Sequence, residues 1–244
     1  MYHNDSPRIS IRGFFVIFVQ NSLMTVDEVY SILRFIVRKN QLGSLSPADF
    51  QYAFNSAQRN YYDFLVGRIE QYQYGNARPR VGLSMTDNVV SRLMPFEQSS
   101  VVTVTGGLAT KPTGFNKLIG MYTPNIYRVY RIEEDSFAER MQDSIDPVDE
   151  ENAFFVEQNT NWRIYPTTIP SITVKYLTVP ANIVWNYTLD GSGRPVYNPT
   201  GSVDPLWNNN DIDELVGRAA KIIGVSLKEP TLSQFGQGVI NTGE

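Results

Sequence analysis

The run MPFEQSSVVTVTGG, residues 94–107, is where this chain changes its period. Before Phe96 the apolar residues recur three and four apart. After it Val102 and Val104 alternate with Thr103 and Thr105, and the alternation stops at Gly106-Gly107. A spacing near 3.6 places apolar side chains on one face of a helix, whereas a spacing of 2 places them on one face of a strand. A helical part is therefore followed by a β part, and the expected class is α+β.

Upstream, Thr25 and Glu28 form a capping box. Val26, Val29, Tyr30, Leu33, Ile36 and Val37 then follow at helical spacing, with Arg38-Lys39 at the negative helix end, which predicts a helix over 25–39. A turn at Asn40-Gln41-Leu42-Gly43 leads to Ser46-Pro47-Ala48-Asp49, an N-cap followed by proline at the first helical position. From there Phe50, Ala53, Phe54, Ala57, Tyr61, Phe64, Leu65 and Arg68 make one stripe, and the helix is expected to reach about Tyr72. A third helix is expected over 85–94, with Thr86 as cap and Pro95 as stop. Residues 1–23 lack this regularity, although they hold the apolar run Phe14 to Val19. They have two readings: a flexible arm with an apolar centre, or the product of a start codon set too early, with Met24 the true start. The apolar run is too short to span a bilayer, which takes ~20 residues, and no small-residue cleavage site follows it.

Downstream, strands are predicted over 126–132, 153–156, 161–165 and 171–177, punctuated by Pro124, Pro166, Pro170 and Pro180. With no long helix between them they read as an antiparallel meander rather than a nucleotide-binding βαβ unit. Asp190-Gly191-Ser192-Gly193 is a turn signal between 185–188 and 195–197, which predicts a hairpin. A last helix starts at Asp211 and Glu214, read as a second capping box. It carries Ile212, Leu215, Val216, Ala219, Ala220, Ile222 and Ile223 on its apolar face and takes Gly224 as its C-cap. The segment after Pro230, with Gly236, Gly238 and Gly243, reads as an extended tail whose Leu232, Phe235, Val239 and Ile240 are candidates for docking elsewhere. The expected organisation is an arm at 1–23, a helical domain from 24–96 with 208–228, an antiparallel β domain at 97–207 inserted between them, and a tail at 229–244.

Composition excludes much chemistry. The chain has 244 residues, 42% hydrophobic and 19% charged, so it can bury an ordinary core. It has no cysteine and one histidine, His3, which removes thiol nucleophiles, disulfides, zinc ribbons and the usual histidine-based sites. Lys plus Arg is 21 against 25 acids, a net charge of −4, which is wrong for a protein whose affinity comes from neutralising phosphates. Gly106-Gly107 completes no phosphate-loop pattern and reads as a tight turn. Asp143, Asp146, Asp149, Glu150 and Glu151 match no calcium-loop spacing and read as a solvated acidic loop. Glu134, Asp146 and Glu157 are the carboxylates nearest to a glycosidase pair, with nothing to fix their separation. Tyr61, Tyr62, Tyr72, Tyr74, Trp162, Trp185 and Trp207 suit a binding face, a subunit interface or a core. No catalytic, cofactor-binding or metal residue is assigned, and an enzyme is not expected.

The layout is similar to a known family. Lys39 to Gly43 leading into Leu45-Ser46-Pro47 and Phe50, the Ala57-Gln58 pair, the strand end from Tyr176 to Pro180 and the helix start from Asp211 to Glu214 carry the likeness. Across about 24–240 the chain resembles head-to-tail connectors, the neck ring or adaptor proteins of short-tailed phages, including crAss-like phages. That resemblance implies a structural virion subunit in a homo-oligomeric ring of typically twelve copies beneath the portal. Its partners would be the portal and further neck or tail proteins. The ring would enclose double-stranded DNA without reading its sequence, would involve no membrane, and would be assembled in the bacterial host cytoplasm and sit at the head-tail interface. Ring contacts are expected through Leu232, Phe235, Val239 and Ile240 and through the hairpin at Asp190, Gly191, Ser192 and Gly193. The alternative is a carbohydrate- or receptor-binding tail accessory protein that uses its aromatic β domain.

Overall fold

A computed structural model describes residues 23–39, 44–75, 89–226 and 230–242. The expected turn at 40–43, residues 1–22 of the expected arm and residues 76–88, which include the start of the third helix expected over 85–94, lie outside the described residues.

The first two helices begin as their sequences dictate. In α1 (Val26–Lys39) Thr25 donates its backbone N–H to Glu28 Oε2 at 2.8 Å, and Glu28 donates its own to Thr25 Oγ1 at 3.3 Å. In α2 (Pro47–Gly75) Ser46 Oγ accepts the Asp49 N–H at 3.1 Å. A helical stretch at 89–93 runs into a 3-10 turn, Met94–Phe96, that delivers the chain to the sheet.

The strands are β1 (Glu97–Thr105), β2 (Leu108–Thr110), β3 (Phe115–Tyr122), β4 (Tyr130–Ile132), β5 (Phe154–Glu157), β6 (Asn161–Tyr165) and β7 (Ser171–Thr178). They form one sheet in the order β3-β7-β1-β2-β6-β5-β4. Its two ends meet: Val129 donates to Met121 O at 2.9 Å, and Tyr122 bridges Arg128. The strands thus curl around a core of Val104, Met121, Phe155, Trp162, Ile172 and Val174.

Two expectations for the β part are corrected. The predicted strand over 126–132 is shortened to β4 because Ile126 has φ +69°, inside a tight turn in which Thr123 N–H bonds Tyr127 O. The meander is not wholly antiparallel either, since β4 pairs with β5 in parallel. Parallel neighbours need a crossover, supplied here by the short α3 (Phe137–Gln142), whose Phe137 ring lies 5.0 Å from Tyr165.

After β7 the chain returns to the helices, forms the ribbon β8 (Tyr187–Leu189) with β9 (Pro195–Tyr197), and enters α4 (Asn209–Ser226) and α5 (Pro230–Thr242). Residues of α1, α2, α4 and α5 share one hydrophobic cluster with Phe96, Leu177, Trp185 and Trp207. The expected extended tail is therefore a helix. Gly217, Gly224 and Gly236 are the reason: a Cβ on Gly217 would lie 2.6 Å from Val239 Cγ1, and one on Gly236 would lie 2.7 Å from the Lys221 nitrogen. These glycines let α4 and α5 touch backbone to backbone, and Gly224 lies inside α4 rather than capping it.

Candidate interaction surfaces

The best-ordered polar cluster sits where α2, the 89–93 helix and α4 meet. Asp211 is only 2% exposed and accepts the Tyr61 hydroxyl at 3.0 Å, while Arg92 lies 3.5 Å from the same oxygen. Glu214 accepts Arg218 at 2.6 Å, and the Arg218 guanidinium covers the Tyr61 ring at 5.1 Å. Asp211 and Glu214 are thus interior ion-pair members and not the expected capping box. Instead the backbone oxygen of Asn208 accepts the first helical N–H groups. Burial holds the Asp211 carboxyl above its ordinary range, against the pull of Tyr61 and Arg92, and burial also raises the Tyr61 hydroxyl. Two acids face two arginines, so the cluster is neutral and ties three helices together.

The hairpin forms where expected. Asp190 Oδ1 accepts the N–H groups of Ser192 and Arg194, both at 2.8 Å, and Gly193 has φ +73°. Gly191 and Ser192 complete an exposed loop. The root is firm: Trp185 stacks on Tyr187 at 5.7 Å, lies 4.5 Å from Tyr30, and donates its indole N–H to Asp27 at 2.9 Å. The distal end is bare, with Leu189 64% exposed and Val196 exposed on the opposite face.

A second apolar feature is concave. Between the helical part and β3 and β4 lies a groove of about 410 Å³, with Val66, Val90 and Leu93 on one wall and Ile119 and Tyr130 on the other. Lys117, Arg128, Arg131 and Glu97 stand around it, and Arg131 pairs with Glu133 at 3.3 Å and with Glu157 at 3.1 Å.

Of the other predicted contact residues, Leu232 and Ile240 are buried in the α4/α5 seam and Val239 packs against Gly217, so they are core rather than a docking tail. Phe235 remains exposed. The seam was signalled by small residues on both helices, which read as irregularity in a single sequence. The groove had no signal at all, because its walls lie far apart in the chain. Trp162, Trp185, Trp207, Tyr61 and Tyr62 are buried, so these five present no open aromatic face, and the side chains of Tyr72 and Tyr74 lie outside those described. Among the described residues no group of three or more His, Asp or Glu is placed to hold a metal, and no helix is long and apolar enough to cross a membrane. No protein-family model matches the chain, and no curated protein matches it either.

Proposed function

We propose that this chain is a structural subunit of a head-tail connector ring beneath a phage portal, working by interface formation around the DNA channel. One observation supports the reading beyond the resemblance: among the described residues the body presents an exposed apolar hairpin and a separate concave apolar groove. A head-to-tail ring contact needs two different complementary patches on every copy, whereas a two-fold dimer needs one. Large exposed apolar features on a folded body mark interaction sites.

In this reading the β part is a domain inserted between helices from both ends of the sequence. The separate hydrophobic clusters of the helices and the barrel support that division. The net charge of −4 suits a wall that lets DNA pass without holding it. Quantitative mass spectrometry of purified virions tests the proposal. The chain is expected as a particle component at a small fixed copy number, and its recovery from infected cells but not from virions would contradict it.

A further inference from the structure

We infer that residues 14–19 of one copy add as a third strand to the open edge of the β8–β9 hairpin of the next copy, an inference that rests on the ring reading. A two-stranded hairpin is marginal in water by itself, and here only the root is packed. In the register of β8 and β9, Asp190 N–H bonds Arg194 O and Asn198 N–H bonds Asn186 O. The backbone N–H and C=O groups of Tyr187 and Leu189 therefore turn outward, while on the other edge Pro195 has no N–H to offer. Among the described residues this ribbon stays two-stranded, whereas the seven-stranded sheet closes on itself through Val129 and Met121. The open edge is flanked by exposed apolar side chains, Leu189 on one face of the ribbon and Val196 on the other.

The sequence supplies a strand to match. Phe14-Phe15-Val16-Ile17-Phe18-Val19 is an unbroken run of aromatic and β-branched residues, the side chains that suit a pleated strand. Laid out as a strand it is apolar on both faces, with Phe14, Val16 and Phe18 on one and Phe15, Ile17 and Val19 on the other. Such a strand suits a ribbon whose two faces are both apolar. Added at an exposed edge, it gains main-chain hydrogen bonds from the edge and side-chain contacts beside it. The place where the described chain begins fits as well. Met24 N–H bonds Asn209 Oδ1 at 2.9 Å and Val26 N–H bonds Asp204 Oδ1 at 2.7 Å, next to Val203, whose bridge to Val184 closes the hairpin root. Residues 20–22 alone separate the run from Leu23, so Val19 lies within about 13 Å of it in extended chain. Each copy therefore carries a strand to give and an edge to receive, two different patches of the kind that a head-to-tail contact requires. Pairing within one chain would use up both patches without joining two copies.

The absence of cysteine makes the test clean. In an added strand the residue opposite Thr188 forms a pair without hydrogen bonds, where side chains come closest. Full-length chains carrying Thr188→Cys together with one of Phe15→Cys, Val16→Cys, Ile17→Cys or Phe18→Cys are purified, oxidised at high concentration and run on a non-reducing gel. Thr188 is exposed, and circular dichroism checks that each variant folds. The expected result is a ladder extending past the dimer whose yield alternates along 15–18, high at every second position, as a strand requires. Mixing a chain that carries only Thr188→Cys with one that carries only the most reactive of the other four is expected to give a mixed dimer. No cross-link, or cross-linking without alternation, overturns the inference. A disulfide confined to single chains overturns it in favour of a strand that each copy pairs with its own edge. Dimers from Thr188→Cys alone overturn it in favour of hairpin-to-hairpin contact. The ring reading is judged separately by where the chain sits in the particle. A ring without the ladder rejects only this contact, and a ladder from a chain absent from the ring rejects the ring.

Discussion

From the middle of α2, Gln58 donates its side-chain amide to the backbone oxygen of Ala181, 2.8 Å away and 123 residues further along the chain. One turn earlier Asn55 accepts the Ile183 N–H at 2.8 Å and donates to the Ile183 oxygen at 3.3 Å. Two amides thus hold the segment leaving β7 along the helix almost as a neighbouring strand would. Gln58 is buried while Ala181 is exposed, so the bond lies at the edge of the core, where an intramolecular hydrogen bond contributes about 0.5–1.5 kcal/mol.

Gln58→Leu is accordingly expected to lower stability by about 1 kcal/mol, since it removes the bond to the Ala181 oxygen. Urea unfolding with unchanged slope checks this. A loss below a few tenths of a kcal/mol would mean that the strap contributes nothing.

Ile126 offers the opposite change. A β-branched residue at φ +69° is strained, and its side chain is 81% exposed, so it gains nothing from burial. Such strain is of order 1–3 kcal/mol, and the greater freedom of glycine in the unfolded chain offsets part of its relief. Ile126→Gly should raise stability by roughly 1 kcal/mol, seen as a higher melting temperature. A lower one would contradict the turn geometry.

Gly236→Ala is expected to be severe. The added Cβ would meet the α4 backbone around Gly217 and Lys221, which a rigid helix cannot move aside. A loss of more than about 2 kcal/mol is expected, with protease cutting first in α5. The same change at Gly238, where nothing lies within 4 Å, should be neutral or mildly stabilising.

These positions mark what one sequence could and could not convey. The capping box of α1, the N-cap of α2 and the Asp190 turn involve residues a few places apart, so their chemistry was legible directly. Asp211 and Glu214 have the spacing of a cap as well. Asp211 instead meets Tyr61 and Arg92, which are distant in the chain, and Glu214 pairs with Arg218 as well as with Arg92, so burial among them changes the role. The tail was misread for a related reason, because glycine means irregularity in isolation and close helix contact only when the facing helix is known. The groove depends entirely on tertiary placement.

The pH response follows from the same cluster. The Asp211 carboxyl is raised above its ordinary value of 3.8, with burial as the largest cause, so the folded chain binds that proton more tightly than the unfolded one. Its contribution to stability is complete below 3.8 and is lost as pH rises through the raised value. Glu28, lowered by its bonds to Thr25, acts with the opposite sign and contributes stability that is lost on acidification. Asp211→Asn should therefore remove a downward slope in unfolding free energy above pH 3.8. An unchanged slope would assign that pH dependence to other groups.

Cryo-EM of native particles, with the tail vertex reconstructed under imposed and then relaxed rotational symmetry, tests the central claim most directly. The account predicts a closed ring of this chain around the DNA channel. Density for the chain on peripheral fibres, or none on the particle, would contradict it.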